Sequence, residues 1–216
     1  MARADRTRAL AVRGARATGR GLRVGGRGLV DEVLAYGAKL PVRDRAALRG
    51  QFPGLSPDQV AEALVRGAAQ ATSAVGAAVG VWAVVPVVPA FAVEIAAETV
   101  AVVGIELKLV AELHELYGLG VPGSVLERTS AYLVAWGDRR GAAAVPGGLV
   151  LAVGSPLRKR VAHRLAQRAG RSAVSLGPLL TGAAAGALFN RRATRRVGRS
   201  VLGRLREDPL ARRVWD

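Results

Sequence analysis

The chain of 216 residues contains no cysteine and very few aromatic residues. Without cysteine it can form no disulfide scaffold, no thiolate metal site and no cysteine nucleophile. Aromatic side chains make up only 4 % of the chain, so stacking platforms for nucleic-acid bases are not evident. Small residues are abundant instead, among them 27 glycines, and they predict a core in which helices approach one another closely.

Motifs that carry chemistry are also missing. Neither a Walker A loop nor a G-x-S-x-G nucleophile elbow occurs, and no alternating pattern predicts a sheet. The glycine pattern from Gly118 to Gly123 follows a helix end and contains Pro122, which argues against a dinucleotide site. The sequence therefore predicts no catalytic residue, cofactor or metal ligand, and it leaves enzymatic activity undecided.

The two histidines, His114 and His163, lack the spacing of metal ligands. His114 lies between Glu112 and Glu115, and we interpret this cluster as exposed polar residues near a helix end. Lys108 and Glu112 form an i, i+4 pair on the same predicted helix.

Charge is strongly segregated along the chain. Residues 1–57 carry 12 basic and 4 acidic residues, residues 58–138 carry 3 and 9, and residues 139–216 carry 17 and 3. An apolar, mildly acidic centre thus lies between two basic flanks, whose natural partners are anionic lipid or nucleic-acid phosphate. Only three of the 32 basic residues are lysine; a GC-rich genome could explain that excess of arginine but not its segregation.

The first 55 residues are predicted to form a basic arm with a short helical part. Eight arginines fall within residues 1–30, where frequent glycines oppose a stable helix, and residues 31–49 are predicted to be helical. The arm has either a binding role or the role of a solvated tail.

An apolar helical hairpin is predicted in the centre of the chain. Ser56, Pro57 and Gln59 form a helix start with capping-box spacing. The following run Gly67–Val93 holds no charge over 27 residues, which is long enough to span a bilayer, although its alanines, glycines and prolines fit a buried hairpin as well. The VVPVVPA segment is predicted to be the bend between the two helices.

The second hairpin helix is predicted from about residue 90 to Tyr117, and Gly118 is the glycine that terminates it. Glu94 and Glu98 share one of its faces, and Glu106 lies further along. These carboxylates either pair with arginines of another element or face water. Glu94 and Glu98 are the residues to inspect if the chain is a hydrolase.

Cationic helices are predicted in the last third of the chain, after a helix over residues 122–136. A helix beginning at Ser155 carries Arg160, Arg164 and Arg168 on one face. A longer helix follows an uncharged run, and Ala193, Val197, Val201 and Leu205 form its apolar stripe. Its opposite face carries six arginines: Arg191, Arg192, Arg195, Arg196, Arg199 and Arg206.

Two stretches resemble the EcsC family. They are ALVRGAAQATSAVGAAVGVWAVVP, continuing through apolar helices to AELHELYGLG, and SLGPLLTGAAAGALFNRRATRRVGRSVLGRLRED. The positions that match the family pattern are Tyr117, Gly118, Pro178, Gly182, Gly186 and Asn190. At the hairpin bend the family often has an acidic residue, whereas here the bend is uncharged and Glu94 is the nearest acid. The resemblance covers residues 58–208 and implies an all-helical, membrane-proximal bacterial protein.

Together these observations predict an all-α fold, a compact bundle of small-residue helices with an apolar helical hairpin and with membrane association left open. The predicted parts are a basic arm over 1–55, an EcsC-like helical domain over 56–208 and a tail over 209–216. The expected function is action at the cytoplasmic face of the cell membrane, or in the cytoplasm, through cationic helices. The expected partner is anionic lipid, bound peripherally or with the hairpin inserted. Nucleic-acid binding and a hydrolase with an unrecognised site are the alternatives.

Overall fold

The computed structural model describes residues 28–82, 88–137, 162–164, 167 and 181–212. These ranges are helical apart from short connections, and they contain no strand, which confirms the predicted all-α class for the described part. The helices are α1 (28–37), α2 (Arg45–Gln51), α3 (Pro57–Trp82), α4 (Val88–Leu116), α5 (Val125–Gly137), α6 (Thr181–Glu207) and α7 (Pro209–Arg212). Residues 162–164 and 167 are helical too.

Capping contacts confirm the predicted start of α3 and the predicted end of α4. Gln59 N donates to Ser56 Oγ at 3.3 Å, and Ser56 N donates to Gln59 Oε1 at 2.8 Å, a reciprocal capping box. At the end of α4, Gly118 adopts φ +68°, and Leu119 N donates to the carbonyl oxygen of His114 at 2.8 Å. This Schellman arrangement satisfies the last carbonyls of α4.

Two helix boundaries differ from the sequence prediction. The helix predicted over 31–49 is two helices, because the chain leaves the helical conformation around Pro41 and Asp44 caps a new helix at Ala47 N. The helix predicted from residue 122 begins at Val125, because Ser124 and Glu127 form a second capping box.

Helices α3, α4 and α6 form the centre of the described bundle. Gly76 near the end of α3 contacts Gly186 near the start of α6, whereas Asp58 at the start of α3 contacts Arg206 at the end of α6. The two helices are therefore antiparallel along most of their length. Helices α1 and α5 pack on α4 around a core of Val30, Val33, Val103, Leu107, Val110, Tyr132 and Leu133.

The crossing of α3 and α6 depends on glycine. A Cβ atom added to Gly76 would lie 2.8 Å from the carbonyl oxygen of Gly186 and 2.6 Å from Nδ2 of Asn190. No side chain larger than hydrogen fits there without displacing one of the helices. The close approach of helices that the abundance of small residues predicts is thus confirmed at this pair.

Several predictions lie outside the described residues: the arm over 1–27, most of the hairpin bend (83–87), the start of the helix at Ser155, and Pro178. Within the described part of the chain, no helix is both long enough and apolar enough to cross a membrane.

Candidate functional site

The buried side of α6 is formed by small and polar residues in the middle of the helix and by leucines near its end. Asn190, Thr194 and Gly198 are buried, as are Leu202 and Leu205. Of the predicted apolar stripe, Leu205 is therefore buried as expected, whereas Val197 and Val201 are only half-buried. The buried side is therefore displaced from the stripe by about one residue position. Gly198 explains part of this displacement, because a Cβ atom there would lie 2.7 Å from Cγ2 of Val65 in α3.

Two carboxylates of α4 receive hydrogen bonds from this side of α6. Asn190 Nδ2 donates to Glu98 Oε1 at 3.0 Å, and Thr194 Oγ1 donates to Glu106 Oε1 at 2.7 Å. These bonds run in the same order along α4 and α6, so the two helices are parallel. Glu98, one of the two carboxylates to inspect, thus joins α4 to α6, and the side chain of Glu94 lies outside the described part.

Glu106 is the most completely enclosed of these acids, with 0 % of its surface exposed. Trp136 Nε1 donates to its Oε2 at 2.7 Å, so α5 is tied to the same carboxylate as α6. The hydroxyls of Thr194 and Thr72 are 2.9 Å apart, which extends the chain of contacts to α3. One side chain of α4 thereby connects four helices through hydrogen bonds in a low-dielectric interior, where such bonds are strong.

A cavity of about 450 Å³ opens beside Glu106, between α4, α5, α6 and the two residues Arg164 and Gln167. Its volume lies in the range of small-molecule sites. Its inner wall is mainly apolar or aromatic, and it consists of Ala135, Trp136, Phe189, Ala193, Val197 and Val201. Four arginines also line it: Arg164, Arg192, Arg196 and Arg204.

The structure separates the predicted cationic residues into groups. Arg164, Arg192 and Arg196 line the cavity together with Arg204. Arg204 is not among the predicted cationic residues, because its position falls on the same side of the helix as the predicted apolar stripe. Arg191 and Arg195 are half-buried and Arg199 is exposed, all away from the cavity. Arg206 pairs with Asp58, and Arg160 and Arg168 lie outside the described residues.

Tyr117 and Arg206 meet on one carboxylate oxygen. Tyr117 donates its hydroxyl to Asp58 Oδ1 at 2.6 Å, and Arg206 Nε donates to the same atom at 2.9 Å. The Tyr117 hydrogen bond is the main reason that the pKa of Asp58 is lowered. Burial, with Asp58 as a second cause, raises the pKa of Tyr117 to about 12.

Four of the five described positions of the family pattern have structural roles. Tyr117 and Gly118 close α4, Gly186 permits the crossing with α3, and Asn190 holds Glu98. Gly182 lies in the first turn of α6.

The expectation of an exposed polar cluster near His114 is wrong. The side chain of Glu112 is only 3 % exposed, because Arg43 reaches it from the α1–α2 connection at 2.6 Å, and Lys108 binds it at 2.7 Å as predicted. Burial acts to raise the pKa of Glu112, but the two cations outweigh it and the net effect is a lowered pKa. This cluster fixes the α1–α2 connection on α4.

His114 is itself half-buried and lines a second cavity of about 300 Å³, which shares Ala135, Val201 and Arg204 with the first. Its Nδ1 lies 2.7 Å from the carbonyl oxygen of Val110, and burial lowers the pKa of the imidazole. In the described ranges, no three acidic or histidine side chains gather as a metal site requires.

No protein-family model matches the chain, and neither does any curated protein or solved structure. The resemblance to the EcsC family therefore stays a prediction from the sequence.

Proposed function

We propose that this chain is an EcsC-like bacterial helical protein that acts at the cytoplasmic face of the cell membrane by binding anionic lipid headgroups. The observation that carries the proposal is the exposure of Arg192, Arg196 and Arg199 on α6. Their spacings of four and three residues align them on one side of the helix. That side is opposite the residues that pack on α3 and α4.

Burial of the central acids supports this interpretation. Glu98 and Glu106 lie beneath α6 and are bound by Asn190 and Thr194, so their charge is removed from the surface that the arginines form. Each arginine near an anionic membrane contributes on the order of 1 kcal/mol, and salt screens the attraction within a Debye length. Three or four arginines acting together would hold the protein at the membrane at low salt and release it at high salt.

Vesicle flotation tests the proposal. The protein should float with vesicles of phosphatidylglycerol and phosphatidylcholine at low salt, and it should not float with phosphatidylcholine alone or at high salt. Equal recovery under all of these conditions would contradict an electrostatic attachment. Tighter, salt-dependent binding to random duplex DNA at matched ionic strength would favour the nucleic-acid alternative.

A carbonate wash of membranes separates the two forms of attachment. A protein held by arginines alone should be extracted, because alkaline carbonate releases peripherally bound proteins. Retention in the membrane pellet would indicate that the hairpin inserts.

A further inference from the structure

We propose that the cavity beside Glu106 binds one molecule of an amphipathic phosphate ester. The phosphate would lie at Arg192 and Arg196, and the apolar part would lie against Trp136 and Val197. This inference rests on the proposed function, because the same two arginines serve both, but it assigns them a site for a single molecule rather than a surface.

The cavity changes in polarity from its opening to its interior. Arg192, Arg196 and Ser200 are exposed and form the opening, whereas Val197 and Val201 are half-buried and Ala135 is buried. A ligand with a charged end and an apolar end matches that gradient when its charged end faces solvent. A ligand that is charged throughout would leave the inner wall without apolar contacts.

The cations at the opening favour phosphate as the charged end. A guanidinium group presents paired N–H donors in a planar fork, which binds two phosphate oxygens at once. Arg192 and Arg196 are separated by one helical turn, and Arg164 approaches from the helical residues 162–164. Guanidinium groups from two elements therefore line the cavity that the phosphate would enter.

Glu106 determines the direction in which the ligand enters. Both of its oxygens already accept hydrogen bonds, one from Trp136 and one from Thr194, so its carboxylate is held at the inner end. A phosphate placed at that end would meet oxygens that already accept hydrogen bonds, whereas a phosphate at the opening meets the guanidinium donors of Arg192 and Arg196. The arrangement thus selects one orientation.

The binding test uses three soluble probes below any micelle concentration: octyl phosphate, octyl glucoside and inorganic phosphate. Calorimetric titration should show one octyl phosphate per chain, bound at least about tenfold more tightly than either other probe, because only octyl phosphate uses both ends of the cavity. Binding of octyl phosphate no tighter than octyl glucoside would overturn the proposal. The proposal would also be overturned if octyl phosphate bound no more tightly than inorganic phosphate, because the arginines would then bind phosphate without help from the apolar wall.

Two pairs of variants locate the site. Ala193→Leu fills the cavity without changing charge, and Ala185→Leu makes the same change at an exposed position of α6 away from it. Octyl phosphate affinity should fall about tenfold or more in the first variant and stay unchanged in the second. Equal affinity in the two would overturn the proposal. Helical circular dichroism and melting show that each variant is folded, and Ser200→Leu, at the opening, replaces Ala193→Leu if that variant is unfolded.

The second pair of variants consists of two double substitutions, each of which removes two positive charges from a different part of α6. Arg192→Gln/Arg196→Gln should abolish octyl phosphate binding, whereas Arg195→Gln/Arg199→Gln should preserve it. Vesicle flotation, by contrast, should be weakened by both double variants, because an anionic surface attracts all four arginines. Flotation without octyl phosphate binding would therefore overturn the cavity site and leave the proposed function standing. Octyl phosphate binding without flotation would support the cavity site and contradict the proposed attachment to membranes.

Discussion

Tyr117, the last residue of the predicted hairpin, donates its hydroxyl to Oδ1 of Asp58 at 2.6 Å. This contact joins the end of α4 to the start of α3, and Arg206 brings the end of α6 to the same oxygen. Three central helices are therefore fastened at one end of the bundle.

The Tyr117 contact predicts a dependence of stability on alkaline pH. Burial raises the pKa of Tyr117 to about 12, whereas an unfolded tyrosine titrates near 10. The stabilisation of the neutral phenol is fully present below about pH 10 and is lost as the pH rises through 12. Tyr117→Phe should lose about 1 kcal/mol of unfolding free energy at pH 7. Its alkaline decrease should be smaller than that of the native chain but not absent, because burial also raises the pKa of Tyr132. Urea unfolding from pH 7 to 12 measures both; an identical alkaline decrease in the variant would contradict the assignment.

The contribution of Asp58 to stability should depend on pH in the acid range. The lowered pKa of Asp58 contributes stability that is present above about pH 4 and is lost as the pH falls through the lowered value. Asp58→Asn should therefore flatten the acid limb of the stability curve. Because burial is the main cause of the raised pKa of Tyr117, that pKa should decrease only partly in Asp58→Asn, which an absorbance titration would measure.

The glycine crossing predicts opposite effects of the same substitution at two places on α3. Gly76→Ala should destabilise the protein by about 1–3 kcal/mol, because its Cβ would meet the backbone of Gly186. Gly67→Ala should stabilise it by up to about 1 kcal/mol, since the added Cβ would meet no atom within 4 Å beyond the adjoining backbone of its own helix, and alanine favours a helix. Thermal unfolding of both variants tests this; equal changes in melting temperature would show that α3 and α6 do not cross at Gly76.

The hydroxyl of Thr194 should matter more than its methyl group. Thr194→Val removes a donor from Glu106 and leaves a buried carboxylate oxygen short of a partner, which costs about 1–3 kcal/mol. Thr194→Ser keeps the donor and should lose less. A Thr72→Val/Thr194→Val double variant should be non-additive, because the two hydroxyls contact each other. This role would be refuted if urea unfolding gave Thr194→Ser a lower unfolding free energy than Thr194→Val.

The buried carboxylate of Glu112 should depend on the geometry of Arg43. Its Oε1 and Oε2 accept from Nε and Nη2 of Arg43 at 2.7 and 2.6 Å, a two-point contact that lysine cannot reproduce. Arg43→Lys should therefore lose stability although it keeps the positive charge. Glu112→Gln should lose about 2 kcal/mol or more of unfolding free energy. Because the pKa of Glu112 is lowered, its contribution should disappear as the pH falls below about 4. Unfolding of Glu112→Gln at pH 7 and pH 3 tests this, since its deficit against the native chain should shrink at pH 3.

Local signals allowed much of the fold to be predicted. The starts and ends of α3 and α4 depend on contacts within five residues, such as the Ser56–Gln59 capping box and the turn at Gly118. Sequence spacing alone identifies these contacts. The second capping box, at Ser124 and Glu127, has the same sequence spacing and starts α5 at Val125 rather than at residue 122.

The buried side of α6 could not be predicted in the same way. Hydrophobicity placed the core on the stripe Ala193, Val197, Val201 and Leu205, of which Leu205 is buried. Asn190 and Thr194 are buried as well, because they bind Glu98 and Glu106 of α4. These partners are 92 and 88 residues apart in the chain. The cavity has the same origin, because it exists only where α4, α5 and α6 meet, so no local pattern could have revealed it.

The long separation between these partners also sets an order on folding. Helices α3 and α4 leave the ribosome well before α6, so Glu98 and Glu106 are exposed to water until Asn190 and Thr194 arrive. Closure of this hairpin over its own carboxylates would be unfavourable, because their desolvation would go uncompensated. We therefore expect the two acids to disfavour tight packing of the early hairpin until α6, which supplies their hydrogen-bond partners, has been synthesised.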